Sequence, residues 1–464
     1  VGGMIMETAE RVRKRSVIYV IAGVAALGGI LFGFDTGVIS GALLFIKKEW
    51  ALGATGQEFL VSAVLVGAML GAGLSGKVAD RFGRRSVIML TAGIFIVGSI
   101  GASCAPALIW LIASRVVIGI AIGIASFCVP LYISEVAPAG QRGALVSLNQ
   151  LAITIGIVLS YFVDDIFAKT GNGWRYMFLM GVFPALVLGI GMIFLPRTPR
   201  WLVSRGKNEK AREVLKKIYS SENVDKDLNE MRKTLKEEES GGWAELTVPW
   251  LRLPLVIGIG LMFFQQVTGI NTVIYYAPTI FQMAGFESAT VAIAATIGVG
   301  ILNVLMTVVA IYVIDRIGRK PLLLIGLTGM VIALGTLGLA FKEEAILGAA
   351  LKWISVGSLL LYIASFAISL GPIAWLIMAE IYPLRVRGLA MSIATFCNWG
   401  FNFIVAMSFL TIVQALGASS AFWIYGAMSI AGWFFCYFYV PETKGHTLEE
   451  IETHWVKGGR PREL

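Results

Sequence analysis

Charge is what this sequence has least of: Asp, Glu, Lys and Arg together make up 14% of its 464 residues, against about 25% in an ordinary soluble domain. So little charge excludes most soluble enzymes and a nucleic-acid binder. Cysteine is scarce too. Cys104, Cys128, Cys397 and Cys436 stand singly in apolar runs, none in a CxxC pair. That excludes a disulfide scaffold and a thiolate metal site, and buried free thiols are expected. Histidine occurs only as His446 and His454, which gives no catalytic or metal-ligating constellation. No nucleophile–base pair is visible, so neither an enzyme nor a cofactor is expected. The first ten residues hold no apolar stretch with a small-residue cleavage site, and no cleaved signal peptide is expected.

Apolar sequence is abundant, at 57%, and comes in blocks of roughly 20 residues, the length needed to cross a hydrocarbon core of about 30 Å. Twelve spans are predicted, near 17–45, 59–79, 86–104, 107–132, 146–167 and 175–195, then 253–283, 289–314, 321–341, 348–377, 389–414 and 417–440. The one long polar stretch, 197–249, carries Val214, Leu215 and Ile218 at helical spacing and reads as short amphipathic helices. The expected organisation is an all-α membrane protein: a six-helix half over 1–196, linker helices over 197–250, a second six-helix half over 251–441 and a tail over 442–464.

Charge placement sets the expected orientation. Of the 38 lysines and arginines, 31 fall in the N-terminal segment, the even-numbered connections and the C-terminal segment. Lys47, Lys48, Lys169, Arg175, Lys342 and Lys352 fall on the other side, and Arg115 lies within a span. The positive-inside rule then puts both termini and the linker in the cytoplasm.

The halves repeat one another. Asp80-Arg-Phe-Gly83-Arg84-Arg85 follows the second span and Asp315-Arg-Ile-Gly318-Arg319-Lys320 the eighth. Glu135 precedes Arg142 by seven positions after the fourth span, and Glu380 precedes Arg387 by seven after the tenth, each Arg being followed by Gly. A weaker third pair is Pro196-Arg-Thr-Pro-Arg200 against Pro441-Glu-Thr-Lys-Gly445. This is a duplicated six-plus-six architecture, in which a substrate site lies between the halves near the bilayer midplane.

Those loops, with Gln265-Gln266-Val-Thr-Gly-Ile-Asn271, Gly371-Pro372-Ile-Ala-Trp375 and the PETKG segment, carry a resemblance over essentially the whole chain. The sequence resembles the sugar porter family of the major facilitator superfamily, and among its members the bacterial proton-coupled hexose and pentose symporters. The resemblance implies a bacterial inner-membrane location, to which short outer loops and the absence of any Asn-x-Ser/Thr acceptor also point. A monomer in membrane lipid is expected.

Gly71-Ala-Gly73-Leu-Ser-Gly76 matches GxGxxG, but a long apolar helix precedes it where a strand is required. Small residues for close helix packing are the better reading. Asp35, near the middle of the first span, is the sharpest signal, because an ionisable group at that depth costs about 2.5–3.5 kcal/mol and faces a cavity or a partner. Arg115 is the natural partner. Desolvation favours a neutral carboxyl and a nearby cation the ionised one, so such a residue can take and release a proton as its surroundings change. In the resembled family the matching first-span acid is the proton site of symporters, and facilitators lack it.

A pyranose offers hydroxyls and an apolar face, and so calls for amide groups and aromatic planes. The seventh span supplies Gln265, Gln266, Asn271 and Tyr275 around Gly269, where the helix can unwind; Gln150, Trp375, Asn398 and Trp399 add to the set. These match sugar-site positions of the resembled family, and Phe32 and Asn303 match positions near the site. The repeated loops are expected to make a cytoplasmic gate: Asp80, Arg84, Arg85, Asp315, Arg319 and Lys320 pairing with Glu135, Arg142, Glu380 and Arg387 across the cytoplasmic ends. The expected function is import of a neutral monosaccharide with a proton by alternating access. The alternatives are a uniporter with the same site, or a non-transporting sugar sensor, which in this family usually carries a longer tail than the residues after Pro441.

Overall fold

The computed structural model describes residues 2–137, 142–218, 224–239 and 243–464, and twelve membrane spans are present among them. Without water in the bilayer core, each backbone polar group must find its partner within its own segment, and every span is accordingly helical. The first half consists of α1 (Gly2–Glu49), α2 (Ala54–Phe82), α3 (Arg84–Ser103), α4 (Leu108–Val136), α5 (Arg142–Phe167) and a sixth span broken into α6 (Gly173–Leu179) and α7 (Val182–Phe194). Short helices α8 (Pro199–Ser204), α9 (Asn208–Ile218) and α10 (Val224–Glu239) follow. They make a small core of their own, Leu215 of α9 lying among Trp201, Leu202 and Val203 of α8 and Leu228 of α10.

The second half repeats the plan with α11 (Arg252–Val267) and α12 (Ile270–Met283) as one broken span, α13 (Ala289–Ile317), and α14 (Arg319–Lys342). The one-turn α15 (Glu344–Leu347) leads to α16 (Ala350–Ala367) and α17 (Leu370–Ile381), again one broken span, then α18 (Leu384–Leu416) and α19 (Ala418–Tyr439). Helix α20 (Leu448–Val456) closes the fold, its start fixed by a capping box between Thr447 and Glu450.

The duplication seen in sequence is a duplication of structure. Gly83, between α2 and α3, and Gly318, between α13 and α14, adopt φ of 86° and 107°, a region open to glycine at little cost. Within the first half, α2 and α4 come together through Gly67 and Gly71 on one and Gly119 and Gly123 on the other. A Cβ at Gly71 would run into the carbonyl oxygen of Ile120, and one at Gly123 into that of Ala68. Of the GxGxxG match only Gly71 serves this packing, since a Cβ at Gly73 or Gly76 would meet nothing within 4 Å.

The halves meet along α1 against α12, α2 against α18 and α5 against α13. Three described side-chain links join them at the end away from the termini. Glu58 binds Thr411, Lys47 Nζ donates to Gln282 Oε1 at 3.4 Å, and Tyr161 donates from its hydroxyl to the carbonyl of Ile274 at 3.3 Å. That end is closed.

Candidate functional site

The break between α11 and α12 builds the site. Gly269 has φ of 93°, so α11 ends and α12 restarts at a new angle; the carbonyl of Thr268, which caps the break, accepts the Tyr362 hydroxyl at 2.8 Å. Gln265 and Gln266 stand on one side of the break and Asn271 on the other. Gln266 Nε2 donates to Asn398 Oδ1 at 3.1 Å, Asn398 Nδ2 donates to Gln265 Oε1 at 2.7 Å, and Asn271 Nδ2 donates to Gln266 Oε1 at 2.7 Å. Gln265 Nε2 anchors the set to α17 through the carbonyls of Leu370 and Gly371, at 3.0 and 3.3 Å. Four of the amides chosen from sequence are thus one hydrogen-bonded cluster, neutral throughout.

Aromatic planes stand beside it. Phe32 of α1 and Trp399 of α18 approach to 5.3 Å between ring centroids, a contact between the halves. Trp399 is buried, yet its indole N–H has no partner among the described residues. Trp375 is half-buried on α17, next to the turn that anchors Gln265. Tyr275 is buried on α12, and its hydroxyl accepts from Asn402 Nδ2 at 3.2 Å. Gln150, on α5, is half-buried and makes no hydrogen bond to the described residues. Asn303 is buried on α13, and no described contact joins its side chain to the amide cluster.

Asp35 and Arg115 form a bidentate pair, Nη1 to Oδ1 at 3.3 Å and Nη2 to Oδ2 at 3.4 Å. Arg115 Nε also donates to the carbonyl of Leu60 at 2.9 Å, and the guanidinium lies 5.7 Å from the ring centre of Phe178. With 2% and 0% of the two side chains exposed, the pair is screened from water and each charge has the other as its answer. Phe32, one turn before Asp35 on α1, meets Trp399, the chain neighbour of Asn398, so the pair and the amide cluster stand on elements that touch.

The repeated loops carry ion pairs among the residues expected, and among the described residues these close within each half. In the first half Arg84 meets Asp80 at 3.0 Å and Glu135 at 3.0 Å; in the second, Arg319 meets Asp315 at 3.0 Å and Glu380 at 2.9 Å. The physical reason is local. Asp and Arg stand a helical turn apart around the Gly83 or Gly318 corner, so the fork of each Arg reaches the acid at the foot of α4 or α17 in its own half. Arg85 leaves the cluster and donates to the carbonyls of Met192 and Ile193, which end α7, at 3.0 and 2.6 Å. Arg387 Nε donates to the carbonyl of Tyr382 at 3.0 Å. The side chain of Arg142, and the loop 138–141 before it, lie outside the described residues.

Three further polar residues escaped the sequence reading. Asn402 stands one turn after Asn398 on the same helix, and its Oδ1 is buried without a partner among the described residues. Its spacing of four from Asn398 was the available signal. Glu58 is buried although it precedes the apolar run of its span. Asp164 is fully buried on α5; its Oδ2 accepts the N–H of Gly41 at 3.1 Å and its Oδ1 has no partner among the described residues. As the first of two adjacent acids, it reads like a loop entry.

Comparison with known proteins gives the same picture. Residues 21–455 match the family model described as sugar (and other) transporter. A D-xylose transporter of Levilactobacillus brevis is 43% identical over 429 residues, covering 92% of this chain and 93% of the relative. The arabinose-proton symporter of Escherichia coli (strain K12) is 41% identical over 446 residues, covering 95% and 94%. Among solved structures, the major facilitator superfamily proton:xylose symporter XylE bound to 6-bromo-6-deoxy-D-glucose matches with a TM-score of 0.81 at 36% identity, over 95% of this chain and 100% of that one. This chain belongs to the sugar (and other) transporter family, with the major facilitator fold.

Proposed function

We propose that this protein is a proton-coupled symporter that imports a neutral monosaccharide, hexose or pentose, by alternating access across a bacterial inner membrane, with both termini in the cytoplasm. The observation that carries the reading is that two different sites stand on elements that meet: the buried Asp35–Arg115 pair, with Asp35 on α1, and the neutral amide cluster of Gln265, Gln266, Asn271 and Asn398 about α12 and α18. The single deep cation is already answered by a carboxylate, which disfavours anionic substrates.

The roles follow from the chemistry. The amide cluster supplies donors and acceptors for ring hydroxyls, with Gln150, Asn303 and Tyr275 at its margins. Trp399 N–H and Asn402 Oδ1 are a donor and an acceptor that a sugar can satisfy. Phe32, Trp375 and Trp399 offer planes to the apolar face. Asp35 takes the proton. Once neutral it no longer answers Arg115, whose unpaired buried charge then favours rearrangement of α1 and α4. The pair is intact while Glu58 and Thr411 tie the halves together at the end away from the termini, as suits a symporter that has released its proton inside. The clusters around Arg84–Glu135 and Arg319–Glu380 hold the cytoplasmic ends of each half as rigid corners. The driving force is the proton gradient, including about 2.3 kcal/mol per charge per 100 mV of membrane potential.

The test is uptake of labelled glucose, xylose and arabinose into proteoliposomes with an imposed inward proton gradient, for this chain and for Asp35→Asn. The intact chain is expected to accumulate sugar and the variant only to exchange or equilibrate it. Equal behaviour without accumulation, unaffected by a protonophore, would leave a uniporter. Binding without movement of any sugar would leave a sensor.

A further inference from the structure

We propose that a cavity at the foot of α14 and α19 binds the phosphate of an anionic membrane lipid. The cavity has a volume of about 290 Å³ and is lined by Lys320, Tyr437, Glu442, Pro461, Arg462 and Leu464. Two cations share one aromatic ring there: Lys320 Nζ lies 5.9 Å and the Arg462 guanidinium carbon 4.7 Å from the ring centre of Tyr437. Arg462 also lies 4.6 Å from the ring centre of Phe438. Neither cation forms an ion pair among the described residues. Like charges held over one ring repel, and a bound anion is the natural relief.

The one carboxylate side chain that lines the cavity offsets two cations only in part. Glu442 Oε1 accepts the backbone N–H groups of Arg319 and Lys444, at 3.0 and 2.9 Å, and Oε2 that of Lys320, at 3.0 Å. Its oxygens are thereby committed to the start of α14, where an anion is favoured by the helix dipole, and the two side-chain cations are left facing the cavity. Lys320, grouped with the gate charges by its place in the repeat, belongs here instead.

The surroundings specify a lipid rather than a free anion. Tyr437 and Phe438, with Phe434 one turn above, are exposed on the terminal turns of a membrane span. Phe434 stacks on Phe438. An acyl chain can follow this strip while its phosphate enters between Lys320 and Arg462, the arrangement of basic pockets that hold lipid headgroups at the membrane surface. The interfacial aromatic position agrees with it.

The experiment uses the whole chain in nonionic detergent, incubated with phosphatidylglycerol, phosphatidylcholine or inorganic phosphate, with bound lipid counted by native mass spectrometry. Phosphatidylglycerol is expected to be retained in preference to phosphatidylcholine. Arg462→Gln and Lys320→Gln should each lower that retention about five-fold, and Arg462→Lys should keep most of it. Because Arg462 is exposed, its Gln variant should melt in lipid-free detergent as the parent does, so that loss of lipid reports the site and not the fold. Equal retention of the two lipids, or an Arg462→Gln variant that keeps its phosphatidylglycerol, overturns the proposal. Complete displacement of the lipid by millimolar phosphate would assign the cavity to a soluble anion and overturn it as well.

Discussion

The carboxylate of Glu58, on α2, receives both the backbone N–H and the hydroxyl of Thr411, on α18, at 2.8 and 2.6 Å. One acid side chain thus ties the first half of the molecule to the second at the end away from the termini, beside the weaker Lys47–Gln282 link. A hydrogen bond to a charged group contributes about 1.5–3 kcal/mol, enough to set which of two conformations dominates.

Opening that end requires both bonds to break. Thr411→Val removes one donor, and Glu58→Gln puts an amide N–H₂ where an acceptor is needed. Each should shift the equilibrium toward the state open at that end by about ten-fold, whereas Thr411→Ser should not. Spin-label distances between α2 and α18 would register the change. A Val variant indistinguishable from the Ser variant would remove Glu58 from the closure.

For the Asp35–Arg115 pair the prediction concerns stability. Removing one member of a buried pair leaves a bare charge and costs about 3–5 kcal/mol, more than replacing both. Arg115→Leu should therefore lower the melting temperature of the purified protein more than Asp35→Asn combined with Arg115→Leu. If the double variant is the less stable, the two residues do not answer one another.

The amide groups divide by their internal partners. Gln265 holds α17 through two carbonyls, so Gln265→Ala should weaken sugar binding and also destabilise the fold. Gln150 has no such partner, so Gln150→Ala should raise the KM for sugar by roughly five- to a hundred-fold while leaving the melting temperature alone. Uptake kinetics beside thermal melts on the same preparations would separate them. A stability loss from Gln150→Ala would contradict its assignment to the sugar.

Much of this was legible in sequence, for physical reasons that also mark where it was not. Lipid demands long apolar runs, so the twelve spans and the break at Gly269 were visible, though the breaks in the sixth and tenth spans were not, and a lone acid and a lone cation in apolar runs found each other as Asp35 and Arg115. Pairing direction was not legible. The repeated loops supplied matching acids and bases, but only the corners at Gly83 and Gly318 decide that Arg84 reaches Glu135 and Arg319 reaches Glu380 within one half. Glu58 and Asp164 were missed because each sits at the edge of its apolar run, where an acid is ordinarily in water; here α18 covers the first and α1 the second.

The break at Gly269 is the last point that can be tested. Its φ of 93° is one that a side chain adopts at a cost of about 1–3 kcal/mol. A Cβ there would also stand 2.6 Å from Cδ2 of Tyr425, a ring held in place by a hydrogen bond of 3.3 Å between its hydroxyl and that of Thr272. Both effects push α12 away from α11, and so pull Asn271 off Gln266, whose bond is the one amide contact that crosses the break. Gly269→Ala should accordingly reduce sugar affinity although the residue carries no group that could touch sugar. Adding Tyr425→Leu removes the collision but not the backbone strain, so it should restore affinity only in part. Sugar binding by calorimetry on the two variants would decide it: full recovery in the double variant would mean that the collision alone mattered, and no loss in the single variant would mean that the break does not position Asn271.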